Sequence, residues 1–274
     1  MGYFSIEVKP TITASTMVAH TTKDVLFDWT PFQVPKGACK LLSVSATFRG
    51  INGGNQAGKK FDLYFAKSIN GASPPTIGVD NATISAVPLT TNHLLGQTHF
   101  EIADWGVNGW DYMGNAQTGG GGASSNIPNL VLQGEPDSGD NVGYDTIYIS
   151  GGAGGAIDFG TNVDIGPSAG VTIAGSDGTL DVIDGTDPRL VFAVGDIIHA
   201  TGDIIVGELA EVNQNDLVFK FSGEATTHPE LGYTVPANIA AWRIQNGAGA
   251  AGDLAEDDEL FNIHPIKLTL SFER

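Results

Sequence analysis

The chain has 274 residues and a formal charge of −18, with 41% hydrophobic against 16% charged residues, which excludes charge-driven disorder. From Ser68 to Pro188 it holds 14 acids and no base, so that stretch carries −14; the remaining 17 acids against 13 bases leave −4. A one-signed segment of this length excludes a nucleic-acid footprint, which needs clustered Lys and Arg, and suits neither a phosphate-bearing substrate nor an anionic membrane surface.

The length exceeds the ~100–150 residues of a common single domain, so two modules or one large β domain are expected. The 37 glycines follow no G-X-Y period, which excludes collagen and favours turn-rich β structure. The single cysteine, Cys39, cannot form an intramolecular disulfide and fits a reducing compartment. The segment Met1 to Lys9 has no apolar h-region. Gly2 invites a myristoylation reading, but Ile6 stands where Ser or Thr is wanted. No apolar run approaches the ~18–20 residues of a membrane-spanning helix, and the expectation is a soluble protein.

In chain order, the first predicted strand is Phe4, Ile6 and Val8 alternating with Ser5 and Glu7. Leu42, Val44, Ala46 and Phe48 alternate with Ser43, Ser45, Thr47 and Arg49; Phe61, Leu63 and Phe65 alternate with Asp62 and Tyr64. Period two with one apolar face marks half-buried antiparallel strands. Asn52-Gly53-Gly54-Asn55 and Asn70-Gly71 supply the positive-φ residues of tight turns. From Gly106 to Gly185 glycine dominates, and short β pieces recur at Thr146–Ile149, Ile157–Phe159, Val163–Ile165, Val171–Ile173 and Leu180–Ile183. Their irregular spacing reads as a decorated insertion rather than a solenoid. Beyond Arg189, short strands punctuated by Gly-Asp read as a small β-barrel. The ending Ile266, Leu268, Leu270 and Phe272 alternates again and is expected to share a sheet with the first strand.

The expected fold is therefore all-β: an antiparallel, jelly-roll-like β-sandwich formed by both chain ends, with a Gly-rich β insertion containing a small barrel. The expected boundaries are 1–113 plus 223–274 for the sandwich, 114–188 for the Gly-rich acidic insertion and 189–222 for the barrel.

Few residues carry a chemical signature. Gly-Asp-Ile-Ile occurs twice, so Asp196 and Asp203 could form a carboxylate pair. The simpler account is Asp after Gly at a strand entry, capping its own backbone. Asp177, Asp181, Asp184 and Asp187 invite calcium, but no EF-hand order is present. The calcium β-roll pattern that Gly151-Gly152-Ala153-Gly154 begins has Ala156 where Asp is needed. His20, His93, His99, His199, His228 and His264 lack zinc spacing. No nucleophile elbow, Walker loop or dinucleotide fingerprint occurs, and Cys39 reads as a core residue. No catalytic residue, metal site or cofactor is expected. Trp105, Trp110 and Tyr112, among Asp104, Asn108 and Asp111, form the richest aromatic cluster. They are expected as core or interface residues first, and as a glycan-stacking platform second.

The strands Leu41 to Gly50, Lys60 to Gly71 and Asn262 to Arg274 together resemble virion structural proteins of tailed bacteriophages, of the marine and cyanobacterial type, in which β-sandwich proteins decorate the head. The resemblance implies a capsid decoration (cement) protein, made in the host cytoplasm and displayed on the capsid surface of the virion. Its implied partners are the major capsid protein and itself, as a homotrimer, with no nucleic acid and no membrane. The alternative is a tail or host-attachment protein that binds surface glycan through Trp105, Trp110 and Tyr112. No enzymatic activity is expected.

Overall fold

The structure, a computed structural model, describes residues 2–12, 19–49, 59–90, 93–105, 113–118, 128–135, 144–157, 159, 163–164, 171–174, 177–181, 192–200, 204–212, 216–220, 226–228, 233–235, 244–245, 254–255 and 259–274. They form two compact units. The first comprises Met1–Gly50, Gly54–Phe159 and Pro265–Arg274; the second comprises Ile51–Gly53 and Gly160–His264.

The first unit contains β1 (Tyr3–Val8), β2 (Val25–Pro35), β3 (Cys39–Arg49), β4 (Phe61–Lys67), the one-turn helix α1 (Ala86–Leu89), β5 (Leu94–Phe100), β6 (Met113–Gln117), β7 (Leu130–Leu132) and β8 (Tyr144–Ala153). The second contains β9 (Val163–Asp164), β10 (Val171–Ala174), β11 (Asp177–Asp181), β12 (Ile197–Ala200), β13 (Ile204–Val212), β14 (Asp216–Lys220), β15 (Thr226–His228), β16 (Tyr233–Val235), β17 (Ile244–Gln245), β18 (Leu254–Ala255) and β19 (Glu259–Asn262). The chain then returns to the first unit for β20 (Ile266–Glu273).

Two antiparallel sheets make the first unit, in the orders β1-β20-β3-β6 and β2-β8-β4-β5. β6 and β7 follow one another along the same edge of β3: Gln117 is opposite Ser45, and Leu130 is opposite Leu41. Counting β6 and β7 as one interrupted strand, eight strands are divided four and four between two sheets in the order of a jelly roll. The first and last strands pair along their whole length, from Tyr3 opposite Glu273 to Val8 opposite Leu268. Gly2 and Arg274 exchange backbone hydrogen bonds just beyond them.

Alternation places one face of each sheet inside. Leu41, Val44, Ala46 and Phe48 of β3 meet Leu268, Leu270 and Phe272 of β20 in the same core as Phe61, Leu63 and Phe65 of β4. Aromatic rings close both ends of this core. Phe48, Phe61, Phe100, Trp105 and Phe159 pack at one end; Phe4, Phe32 and Phe272 pack at the other.

The strand directions give the sandwich a polarity. The β1–β2, β3–β4, β5–β6 and β8–β20 connections all leave from one end. The β2–β3, β4–β5 and β7–β8 connections, with residues 2 and 274, lie at the other.

Three sequence-based boundaries are corrected. The sandwich extends to Phe159 rather than ending at residue 113, because β6, β7 and β8 complete its two sheets. Residues 223–264 belong to the second unit, and the sandwich resumes only at Pro265. The strands within 189–222 do not stand alone as a barrel. They belong to an antiparallel sheet ordered β10-β11-β14-β13-β12-β19-β9, with partners on both sides of that span. The glycines of β8 explain the first correction. A Cβ at Gly151 would lie 2.4 Å from Phe27 Cε1, and one at Gly152 would lie 2.4 Å from Ile84 Cδ1. These glycines are packing requirements of a strand, not loop composition.

Candidate functional site

Trp105 follows a 3-10 turn, Ile102–Asp104, in which the Asp104 carboxylate accepts the Glu101 backbone N–H at 2.9 Å. That turn directs the indole inward. Trp105 is only 7% exposed, its ring meets Phe48 edge-on at 5.2 Å, and its Nε1–H donates to the Lys59 carbonyl at 2.6 Å. With its polar atom satisfied and its faces covered, Trp105 is a core residue and cannot stack on a glycan. Trp105 thus takes the core place expected first, not the glycan-stacking place expected second. Trp110 and Tyr112 lie outside the described residues.

Three aspartates near or inside the sandwich hold backbone. Asp24 accepts the Thr21 N–H and hydroxyl at 2.6 and 2.8 Å, Asp28 accepts the Ile77 N–H at 3.0 Å, and the buried Asp145 accepts the Gly134 N–H at 3.2 Å. In the second unit, buried Asp196 accepts the Ala193 N–H at 2.8 Å through its own side chain, closing the turn before β12. That is the capping role expected from Gly-Asp; Asp203 lies outside the described residues. A carboxylate spent on its own turn is not available as a general acid or base. Among the described residues no group of three His, Cys, Asp or Glu is arranged to hold a metal ion.

Asn70 and Gly71 take φ of 53° and 73° and reverse the chain after β4, with Ile69 and Ala72 exchanging backbone bonds. The Glu135 carboxylate closes over this turn. It accepts the Ser68 hydroxyl and the Gly71 N–H, both at 2.9 Å, and the Asn70 N–H. The Gly71 bond first, then those of Asn70 and Ser68, holds this carboxyl below its ordinary value. Sequence reasoning found the turn but not its clamp, since no local pattern links Glu135 to residues 68–71. Cys39 is buried, and burial pushes its thiol up to about 11, so it is an unreactive core residue as expected.

The outer faces of the two sheets differ. On the β2-β8-β4-β5 sheet, burial raises the Asp62 carboxyl, with His99 opposite, and pushes the neighbouring Tyr64 hydroxyl up to about 12. On the other sheet the outward residues are Tyr3, Ser5 and Glu7 of β1, Lys267, Thr269, Ser271 and Glu273 of β20, and Lys40, Ser45 and Thr47 of β3. Lys267 bridges Glu7 at 2.6 Å there. Tyr3 and Val131 on this face are 71% and 61% exposed.

No protein-family model and no curated protein matches the chain. Among solved structures, a chain of the Israeli acute paralysis virus full particle heated to 63 degrees is 10% identical, covering 54% of this chain and 68% of its own. The TM-score is 0.14.

Proposed function

We propose that this chain is a structural, non-enzymatic protein of a tailed-phage virion, most specifically a capsid decoration protein that stabilises the head by contact with the major capsid protein. The observation that carries this reading is the jelly-roll sandwich, an architecture used for viral shells and for lectins alike. It is a fold-level analogy and joins the strand-level resemblance to phage head proteins. Asp24, Asp28, Asp145 and Asp196, each accepting a backbone N–H, support a scaffold role. The uneven charge agrees: Gly160–His264 holds 17 acids against 3 bases, and the sandwich unit holds 14 against 10. A surface that repels its own kind suits a particle exterior. The burial of Trp105 removes that one residue from the glycan-binding alternative. A cryo-EM map of the particle tests the proposal. Density for this sandwich on the head, against capsid subunits, is the expected result; density only on the tail, or none, overturns it.

A further inference from the structure

We propose that the outer face of the β1-β20-β3-β6 sheet is a two-fold contact between two copies of this chain. Across its strands the register sets a row Tyr3–Glu273–Lys40–Val131. The next rows are Ser5–Ser271–Ser43 and Glu7–Thr269–Ser45–Gln117, followed by Lys267–Thr47.

A second copy laid face to face, about an axis running along the strands between β20 and β3, inverts each row. Tyr3 then meets Val131 of the second copy, and Glu273 meets its Lys40, each contact occurring twice. Ser271 meets Ser43, Thr269 meets Ser45, Glu7 meets Gln117, and Lys267 meets Thr47. No like charges in these rows face each other, and the two residues of the face that are exposed and apolar among the described residues cover one another. Such self-complementarity is what an isologous interface requires. Glu7 and Lys267 neutralise one another within each copy, so neither enters the contact as an uncompensated charge. Small Ser and Thr side chains along the middle rows allow two sheets to approach to the ~10 Å of face-to-face packing.

Four strands ~4.8 Å apart and about seven residues long give a patch of roughly 450 Å² in plan. That is the low end for specific interfaces, which bury about 800 Å² of accessible surface per partner. The dimer should therefore dissociate on dilution.

Sedimentation velocity of the full chain from about 1 to 100 µM tests this. The expected result is a reversible monomer–dimer equilibrium. Lys40→Glu or Glu273→Lys alone should weaken it at least about tenfold, because each places like charges opposite one another at two symmetric positions. The double exchange Lys40→Glu with Glu273→Lys should restore it. Both positions are on the solvent face, and an unchanged circular dichroism spectrum checks that the variants fold. A monomer throughout, a trimer, or a dimer indifferent to the single exchanges overturns the proposal.

Discussion

Glu135 is a single side chain on which the order of a turn depends. Its carboxyl sits below the ordinary 4.5, so the folded state gives up this proton more readily than the unfolded chain. Its stabilising contribution is complete above that ordinary value and is lost as pH falls through the lowered one. Glu135→Gln should lower the exchange protection of the Asn70 and Gly71 amides at neutral pH, and the loss of that protection on acidification should disappear. Unchanged rates would mean that the Asn-Gly turn orders itself. Deeper in, Phe48 touches Phe61, Trp105 and Phe159 and has no exposed surface. Phe48→Ala should cost about 3–5 kcal/mol in denaturant unfolding. Gly151→Ala acts in the opposite sense, by overpacking against Phe27, and should cost about 1–3 kcal/mol.

Elements of the sandwich were legible wherever one face alone is buried. β1 and β20 show plain alternation because their outward residues face water. β4 alternates although Asp62 and Tyr64 are half-buried, and in β3 a bulge puts Leu41 rather than the expected Leu42 in the core. The pairing of β1 with β20 followed from matching faces, and the Asn70-Gly71 reversal from its need for positive φ. β8 was shortened to Thr146–Ile149 because Ser150, Gly151 and Gly152, buried on an approached surface, carry no polar-apolar contrast. β6 and β7 were missed because residues 118–129 separate two short pieces that only β3 aligns. A core place for Trp105 was expected, but not its ring partners, because acidic neighbours in sequence say nothing about the Phe cluster that folding brings to it. β20 lies between β1 and β3, so removing Pro265–Arg274 exposes two apolar strand edges at once. That truncation should abolish soluble expression; a soluble, monodisperse product would make β20 peripheral.

At the scale of the molecule, a jelly roll completed by its first and last strands is interrupted between β8 and β20 by a second, strongly acidic unit. The composition revealed that an insertion exists, since its acids and glycines differ from the alternating strands on either side. Its limits were set by pairings too distant to read, and they fall at Gly160 and His264. The buried core cluster of the sandwich is drawn from the first unit alone, as expected for a host domain that carries an insertion. Amide hydrogen exchange on a variant in which a short Gly-Ser linker joins Phe159 to Pro265 tests this directly. The account predicts that the amides of β1, β3 and β20 exchange as slowly in this variant as in the full chain. Exchange of those amides at unfolded-chain rates would contradict it.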